Sequence, residues 1–161
     1  MADDLVIRQL TDPAELDVVA PLWKALQAHH VSLGSIDLPA RDPEDSWRVR
    51  RGIYEHGLAE GAWLWVAERA GEPVGYAFVS RAGEWASWQA GPLVGLETLV
   101  VAPGERGAGI GERLLQTAKD GARSEGYTHL QVGYIEGNVR AAAFYERAGF
   151  TPVERVLGMA L

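Results

Sequence analysis

The residues of this sequence best suited to chemistry form a glycine-rich segment at positions 106–111. It consists of Arg106, Gly107, Ala108, Gly109, Ile110 and Gly111. Glycine lets a phosphate group approach the backbone without meeting a Cβ atom, and an arginine side chain offers phosphate a planar pair of N–H groups. The segment therefore favours a phosphate or pyrophosphate site, with an ordinary tight turn as the alternative.

The elements on either side place this segment between a strand and a helix. Residues 96–101 form an apolar, β-branched run, which Pro103 ends because proline cannot donate to a sheet. From Ile110 onward apolar residues recur at helical spacing, and Gly126 is a typical helix stop. Because the first amides of a helix lack partners and its N-terminal end is partly positive, this position strengthens the phosphate interpretation.

The glycine spacing excludes two common nucleotide-binding motifs. A dinucleotide-binding fingerprint needs a glycine three residues after its second one, where this chain has Glu112. A P-loop ends in Gly-Lys-Ser or Gly-Lys-Thr, whereas Arg113 follows Glu112 here. The sequence thus predicts a phosphate cradle of another kind.

Composition and charge restrict the class of protein further. The chain has 161 residues, of which 47% are hydrophobic. Residues 1–161 are therefore expected to form one domain with a substantial hydrophobic core. The net charge of −7 disfavours nucleic acid and mildly favours a cationic partner such as an amine, although acidity also keeps proteins soluble. The lack of cysteine excludes disulfides and thiolate chemistry. Without a membrane-length apolar run or a basic leader, we expect a cytoplasmic protein with no membrane contact.

The remaining pattern predicts an α/β fold around one mixed sheet of six to seven strands flanked by about four helices. Strands are expected at residues 5–10, 62–69, 73–80, 96–101, 128–134, 150–155 and 156–161. Helices are expected at residues 13–30, 43–60, 110–125 and 139–148. Aspartate followed by proline begins the first two helices, and Asn138 is a good N-cap for the last one.

Two pairs of side chains each have two interpretations. His29 and His30 end the first predicted helix, where a cationic residue favours the negative end of the dipole, or they line a substrate pocket as base or ligand. A metal site is the weaker alternative, because no third ligand type lies at a recognisable spacing. Trp85 and Trp88 lie in a predicted loop, where they either cap the sheet or form the wall of a binding pocket.

Two motifs together resemble the GCN5-related N-acetyltransferase family. The glycine-rich segment matches the family's Arg/Gln-x-x-Gly-x-Gly/Ala pattern, and residues 138–150 match its second, carboxyl-terminal motif. The predicted element order resembles that fold over nearly the whole chain. The resemblance implies central parallel strands that splay apart, a cleft that holds acetyl-coenzyme A (acetyl-CoA), and no need for a metal.

The resemblance also implies roles for individual residues toward acetyl-CoA. The glycine-rich segment would carry the pyrophosphate, Asn138 would hydrogen-bond the cofactor arm, and Arg140 would reach a phosphate. A bulge in the fourth strand, mapped to Leu99, Val100 and Val101, would turn backbone amides toward the thioester. The same amides would stabilise the oxyanion that forms there.

The implied reaction is attack by an amine on the thioester carbonyl. An amine with a pKa of about 10 must first lose a proton near neutral pH. Glu97 would take this proton through water; otherwise it is a solvent-facing carboxylate or only attracts the amine. Tyr145 resembles the family's tyrosine that protonates the leaving thiolate, the alternative being ordinary packing beside Phe144.

The expected acceptor is a small-molecule or peptide amine whose identity the sequence does not reveal. The side chains expected near it are His29, His30, Trp47, Trp85 and Trp88. Aromatic rings and nearby carboxylates suit a cationic amine. A homodimer is consistent with the family and with the tryptophan-rich surface. A non-catalytic acyl-CoA-binding or regulatory module of the same fold remains the alternative function.

Overall fold

The strand that precedes the glycine-rich segment belongs to a mixed sheet. The computed structural model describes residues 4–159 and 161, and within them the sheet has five strands. These are Leu5–Leu10 (β1), Trp63–Arg69 (β2), Glu72–Ala82 (β3), Leu93–Val101 (β4) and His129–Val132 (β5). The spatial order is β1-β2-β3-β4-β5, antiparallel except for the parallel pair β4 and β5. The mixed sheet is confirmed, with fewer strands than predicted.

Helices cover both faces of this sheet. The α-helices of the described residues are Ala20–Ser32 (α1), Pro43–Ala59 (α2), Ile110–Ser124 (α3) and Val139–Arg147 (α4). A 3-10 helix at Pro13–Val19 leads into α1, so the predicted helix at 13–30 has two parts. The side chains of Asp42 and Asn138 cap α2 and α4 by accepting backbone N–H groups at 2.9 and 3.1 Å. None of the described helices is long and apolar enough to cross a bilayer.

Alternation along β2 explains why both faces of the sheet are covered. Trp63 and Trp65 pack with α3 on one face, whereas Leu64 and Val66 pack with α1 and α2 on the other. Successive side chains of a strand point to opposite faces, so a strand that is covered on both sides reads as a continuous apolar run. The run at residues 63–66 is such a case.

The parallel strands separate halfway along β4. Their pairing runs from Leu93 with His129 to Leu96 with Val132, where β5 ends. On its other edge, β4 stays paired with β3 as far as Val101. A gap therefore opens beside the second half of β4, next to the glycine-rich segment.

The closing strands predicted at 150–155 and 156–161 are wrong. The described residues from 151 onward have no regular structure and are exposed. The exposed fractions of Val153, Val156 and Leu157 are 62%, 85% and 83%, so these apolar side chains do not pack into the core. A strand needs a neighbour to pair its backbone, and this segment has none in the fold described here.

Gly75 provides a test of the packing between β3, β4 and α3. A Cβ atom at this position would lie 2.8 Å from the Val100 carbonyl oxygen and 3.1 Å from Leu114 Cδ1. Gly75→Ala is therefore expected to lower the free energy of unfolding by about 1–3 kcal/mol, because strand backbone must move to make room. Urea denaturation measures this change.

The matched control is Gly52→Ala, within α2. A Cβ atom there meets nothing within 4 Å. Alanine in an exposed helix interior should raise the free energy of unfolding by roughly 0.5–1 kcal/mol. Equal unfolding midpoints for Gly75→Ala and the native chain would contradict the packing described above.

Candidate functional site

The gap beside the second half of β4 forms a cleft of about 290 Å³. β4 contributes Leu99, Val100 and Val101 to its wall. The rest of the lining comes from the second half of α1, from residues 105–112 around the glycine-rich segment, and from α4 with its cap: Leu26, His29, Glu105, Arg106, Gly107, Gly109, Ile110, Gly111, Glu112, Asn138, Arg140, Ala141, Phe144, Tyr145 and Arg147. Two motifs that are distant in sequence therefore face each other across one cleft.

The site residues predicted from sequence divide into two groups. All those expected to bind the cofactor line the cleft except Ala108, and Tyr145 and His29 line it with them. Those outside the lining are Glu97, His30, Trp47, Trp85 and Trp88. The structure thus brings together the candidate phosphate-binding residues and separates most residues assigned to the acceptor.

The glycine-rich segment adopts the backbone conformation that requires glycine. Gly107 and Gly109 have φ angles of +83° and +76°, which side chains rarely tolerate. Gly109 is the N-cap of α3 and supplies no side chain to its first amides, which leaves these N–H groups for a bound anion. Glycine at position 111 is favoured by close packing rather than by backbone conformation. A Cβ atom there would lie 3.3 Å from the Phe144 ring, so its absence lets α3 and α4 approach each other.

Three arginines line the cleft. Within the described residues, Arg106, Arg140 and Arg147 form no ion pair. Burial and the charge of Arg140 lower the pKa of Arg106, whose Nε donates to the Val101 carbonyl at 3.3 Å. The carboxylate of Glu105 is already neutralised by Arg69. Arginines that line one cleft without a counterion, with Arg106 and Arg140 close enough to influence each other, are expected of a polyphosphate site.

Tyr145 lines the cleft from α4. Its ring is buried against Phe144, Phe150 and Tyr134, at centroid distances of 5.2, 5.5 and 6.3 Å. Burial raises the pKa of Tyr145 to about 12, so the phenol stays protonated at neutral pH. Its hydroxyl bonds to no other described residue and can therefore donate to a ligand.

The side-chain amide of Asn138, at the start of α4, uses its oxygen atom in a hydrogen bond within the protein. Its Oδ1 accepts the backbone N–H of Ala141 at 3.1 Å, which is the helix cap. Its Nδ2 remains as the donor toward the cleft.

The bulge of β4 lies earlier than expected. Leu96 and Thr98 pair with consecutive residues of β3, so Glu97 is the extra residue, whereas the expected bulge at residues 99–101 is regularly paired. The Glu97 side chain is exposed and accepts a hydrogen bond from Ser80 Oγ at 2.7 Å. It lies on β4 two residues before Leu99 of the cleft wall, outside the cleft lining.

Buried hydroxyl groups tie this bulge to α2. Tyr54 Oη lies 2.7 Å from Thr98 Oγ1 and 3.0 Å from Tyr76 Oη, all within the core. Burial raises the pKa of Tyr54 and of Tyr76, so both remain neutral donors and acceptors. These bonds hold the residue that follows Glu97 in place.

The three tryptophans assigned to the acceptor lie outside the cleft lining. Trp47 is buried in the core, where its Nε1 donates to Asp17 Oδ1 at 2.9 Å. Trp85 and Trp88 pack edge-to-face at 6.1 Å in the loop between β3 and β4, and Trp88 is 70% exposed. Trp88 therefore neither lines the cleft nor caps the sheet.

Residues that sequence reasoning missed include Arg147, Leu26 and Phe144. Helical spacing could have found Arg147, which follows Arg140 by seven residues and so shares its face of α4. The same logic connects Leu26 with His29 on α1. No group of three His, Asp or Glu residues able to hold a metal occurs in the described part of the chain.

Comparisons with known proteins agree with this geometry. A family model described as the acetyltransferase (GNAT) family matches residues 26–150. Mycothiol acetyltransferase from Beutenbergia cavernae is 46% identical over 56 residues, which are 34% of this chain and 18% of that protein. Streptothricin acetyltransferase from Streptomyces lavendulae is 38% identical over 80 residues, 50% of this chain and 39% of that protein. The chain spans less than half the length of each of these relatives.

Solved structures share the whole fold at low sequence identity. The aminoglycoside N-acetyltransferase AAC(6')-Iy in complex with CoA has a TM-score of 0.74 at 21% identity, with 98% of this chain and 94% of that chain covered. A GCN5-related N-acetyltransferase from Ralstonia eutropha JMP134 has a TM-score of 0.75 at 20% identity, with 97% and 98% covered. The mixed sheet with helices on both faces is common to all three.

Gly109→Ala tests whether the left-handed glycine is needed for a ligand. The matched control is Gly126→Ala at the far end of α3, because both glycines have positive φ and no neighbour within 4 Å of a Cβ atom. Each variant should lose about 1–2 kcal/mol of stability through backbone strain. Only Gly109→Ala should also weaken binding of CoA, by roughly tenfold or more, in calorimetric titration. Equal CoA affinities of the two variants would remove the glycine-rich segment as the phosphate site.

Proposed function

Because the chain belongs to the GNAT acetyltransferase family, we propose that it transfers an acetyl group from acetyl-CoA to a primary amine. The observation that carries the proposal is the composition of one cleft, which is lined by unpaired arginines, a glycine-lined helix start and a protonated tyrosine. Acetyl-CoA has matching parts, a polyphosphate at one end and a thioester at the other.

The proposed binding mode assigns each wall of the cleft to one part of acetyl-CoA. The amides of residues 107–111 and the guanidinium of Arg106 would hold the pyrophosphate. Arg140 and Arg147 lie on one face of α4 and would reach the remaining phosphate oxygens. The free edge of β4 at residues 99–101 and the Asn138 Nδ2 group would pair with the amides of the pantetheine arm.

In the proposed reaction, the amine nitrogen attacks the thioester carbonyl directly while both substrates are bound. A C–N bond forms, the C–S bond breaks, and the amine gives up its proton. Glu97 would accept that proton through water, from its place on the bulge beside the free edge of β4. Backbone amides of β4 near Leu99 would stabilise the negative charge on the carbonyl oxygen.

The pKa of Tyr145 defines its proposed role more closely. A thiol has a pKa of about 8.5, well below the value of about 12 for Tyr145. Full proton transfer from this phenol to the thiolate would therefore be unfavourable. We propose that Tyr145 donates a hydrogen bond that stabilises the departing sulfur and keeps its own proton.

Release of free CoA from acetyl-CoA tests the proposed function. The acceptor pools would be small amines and polyamines, amino acids, aminoglycosides, and peptides with free amino termini or lysines. CoA release above the control without acceptor, in at least one pool, is the expected result. If every pool is silent while acetyl-CoA still raises the melting temperature, either the acceptor lies outside these pools or the chain binds acyl-CoA without turnover. Absence of both signals would overturn the cofactor assignment too.

Tyr145→Phe isolates the hydroxyl group from the packing of the ring. It should lower kcat by roughly 10- to 1,000-fold and leave the affinity for acetyl-CoA nearly unchanged, because one donor to developing charge is lost. Since its pKa is about 12, ionisation of Tyr145 should not reduce the native rate below about pH 10.

The control for this prediction is Tyr134→Phe. Tyr134 stacks on Tyr145 but is half exposed and does not line the cleft. It should keep nearly native kcat. Equal kcat values for Tyr145→Phe and the native chain would exclude the proposed hydrogen bond.

Glu97→Gln tests the carboxylate as the base. Glutamine has nearly the same shape, and its Oε1 can still accept the hydrogen bond from Ser80. The variant should have a lower kcat/KM near neutral pH and should recover as the pH approaches the amine pKa of about 10, where the free amine needs no base. A pH profile that stays parallel to that of the native chain would leave Glu97 without this role.

A further inference from the structure

We propose that the acceptor amine also carries an anionic group, a carboxylate or a phosphate, and that Arg50 of α2 binds it. This inference rests on the proposed function and narrows the substrate class of the same site. Arg50 lies where α2 meets α1, on the side of the sheet that Val100 of the cleft also faces.

Two fixed aromatic rings hold the guanidinium of Arg50. Its Cζ atom lies 4.2 Å from the centre of the Trp23 ring and 5.7 Å from that of Tyr54. The Trp23 Nε1 donates to Ser46 Oγ at 3.0 Å, and Tyr54 is bonded to Thr98. Because both rings are held by buried hydrogen bonds, the planar cation between them is oriented before any ligand binds.

Arg50 has no counterion in the described part of the chain. Its neighbours on α2 are paired, Arg48 with Asp45 and Arg51 with Asp17 at 3.3 Å. Arg50, in contrast, makes no ion pair and no hydrogen bond there. A half-buried guanidinium thus keeps all its N–H donors for a group from outside.

The charges around Arg50 also favour an anion. His30 lies close enough that its pKa is lowered by burial and by the charges of His29 and Arg50. His29 lines the cleft, so this neighbourhood extends from α2 to the wall of the cleft on α1, with the guanidinium of Arg50 as its fixed positive charge. A ligand group that binds beside them must carry negative charge to gain from this field.

The position separates this anion from the phosphates of acetyl-CoA. The arginines proposed for the phosphates are Arg106 on the glycine-rich segment and Arg140 and Arg147 on α4. Arg50 instead contacts Tyr54, whose hydroxyl bonds to Thr98 beside the bulge of β4. The anion would therefore belong to the second substrate, near the reacting end of β4.

This inference reverses the expectation that the acceptor is simply cationic. That expectation relied on the net charge and on aromatic rings with nearby carboxylates. Of those rings, Trp47 is buried in the core, and Trp88, like Arg50, is outside the cleft lining but makes no contact with Tyr54. A polycationic acceptor would be repelled by Arg50. An amine that also carries a carboxylate or a phosphate would be attracted to Arg50 through that anionic group. The acceptor class thus differs from that in the name of the aminoglycoside acetyltransferase compared above.

The experiment compares matched acceptors with and without the anion. One arm uses pooled α-amino acids and their carboxamides, and the other uses O-phosphoethanolamine and ethanolamine. The native chain should have a kcat/KM at least roughly tenfold higher for the anionic member of one pair. The arm that shows the preference identifies the carboxylate or the phosphate.

Arg50→Gln should bring that ratio close to one, mainly through KM of the anionic acceptor, while KM for acetyl-CoA stays unchanged. Arg50→Lys should retain part of the preference, because the charge remains without the planar fork. The control is Arg48→Gln on the same helix, whose partner is Asp45, and it should behave like the native chain.

Titration calorimetry with N-acetylated amino acids and their carboxamides, in the presence of CoA, provides a readout that needs no turnover. One outcome is that turnover fails, yet N-acetylated amino acids bind more tightly than their carboxamides and Arg50→Gln removes this difference. In that case the proposed function is wrong and the anion site stands. If neither assay discriminates the pairs, or if Arg50→Gln affects both members equally, Arg50 is only a structural brace and the inference is overturned.

Discussion

The structure depends on the loss of one strand partner. β5 stops pairing with β4 at Leu96, yet β4 continues to Val101 with only β3 beside it. A backbone edge needs hydrogen-bond partners, and on the open side of β4 a ligand in the cleft can supply them beside the bond that Arg106 already makes to the Val101 carbonyl. The glycine-rich segment and α4 border the same gap because each follows one of the two diverging strands. The cleft is thus a consequence of sheet topology.

The distribution of charged side chains makes this gap favourable for a negatively charged ligand. The chain carries a net charge of −7, but the carboxylates near the cleft are exposed or already paired, as Glu105 is with Arg69. The guanidinium groups of Arg106, Arg140 and Arg147 are left without an ion pair among the described residues. An acidic protein can therefore attract a polyanion locally, because a field inside a narrow cleft is screened less than one at the surface.

Local motifs were predictable from the sequence, whereas features that depend on partners were not. The glycine-rich segment and the Asn138 cap are set by neighbouring residues, and both lie at the cleft. The bulge at Glu97 depends on the register with β3, which no local pattern encodes. The closing strands after residue 150 failed for a related reason, because apolar alternation predicts a strand only where another strand is available to pair. Trp47 looked like a binding residue because burial is not visible in residue type.

Tyr54 connects the two halves of the proposed ternary complex. One face of its ring is near the guanidinium of Arg50, and its hydroxyl bonds to Thr98, the residue that follows the bulge. The acceptor side and the reacting end of β4 are therefore tied to a single buried side chain. Burial keeps the pKa of Tyr54 above its ordinary value, so this link stays neutral while charged groups act on either side of it. In the proposed complex, a fixed, uncharged bridge of this kind would orient two substrates without placing a further charge between them.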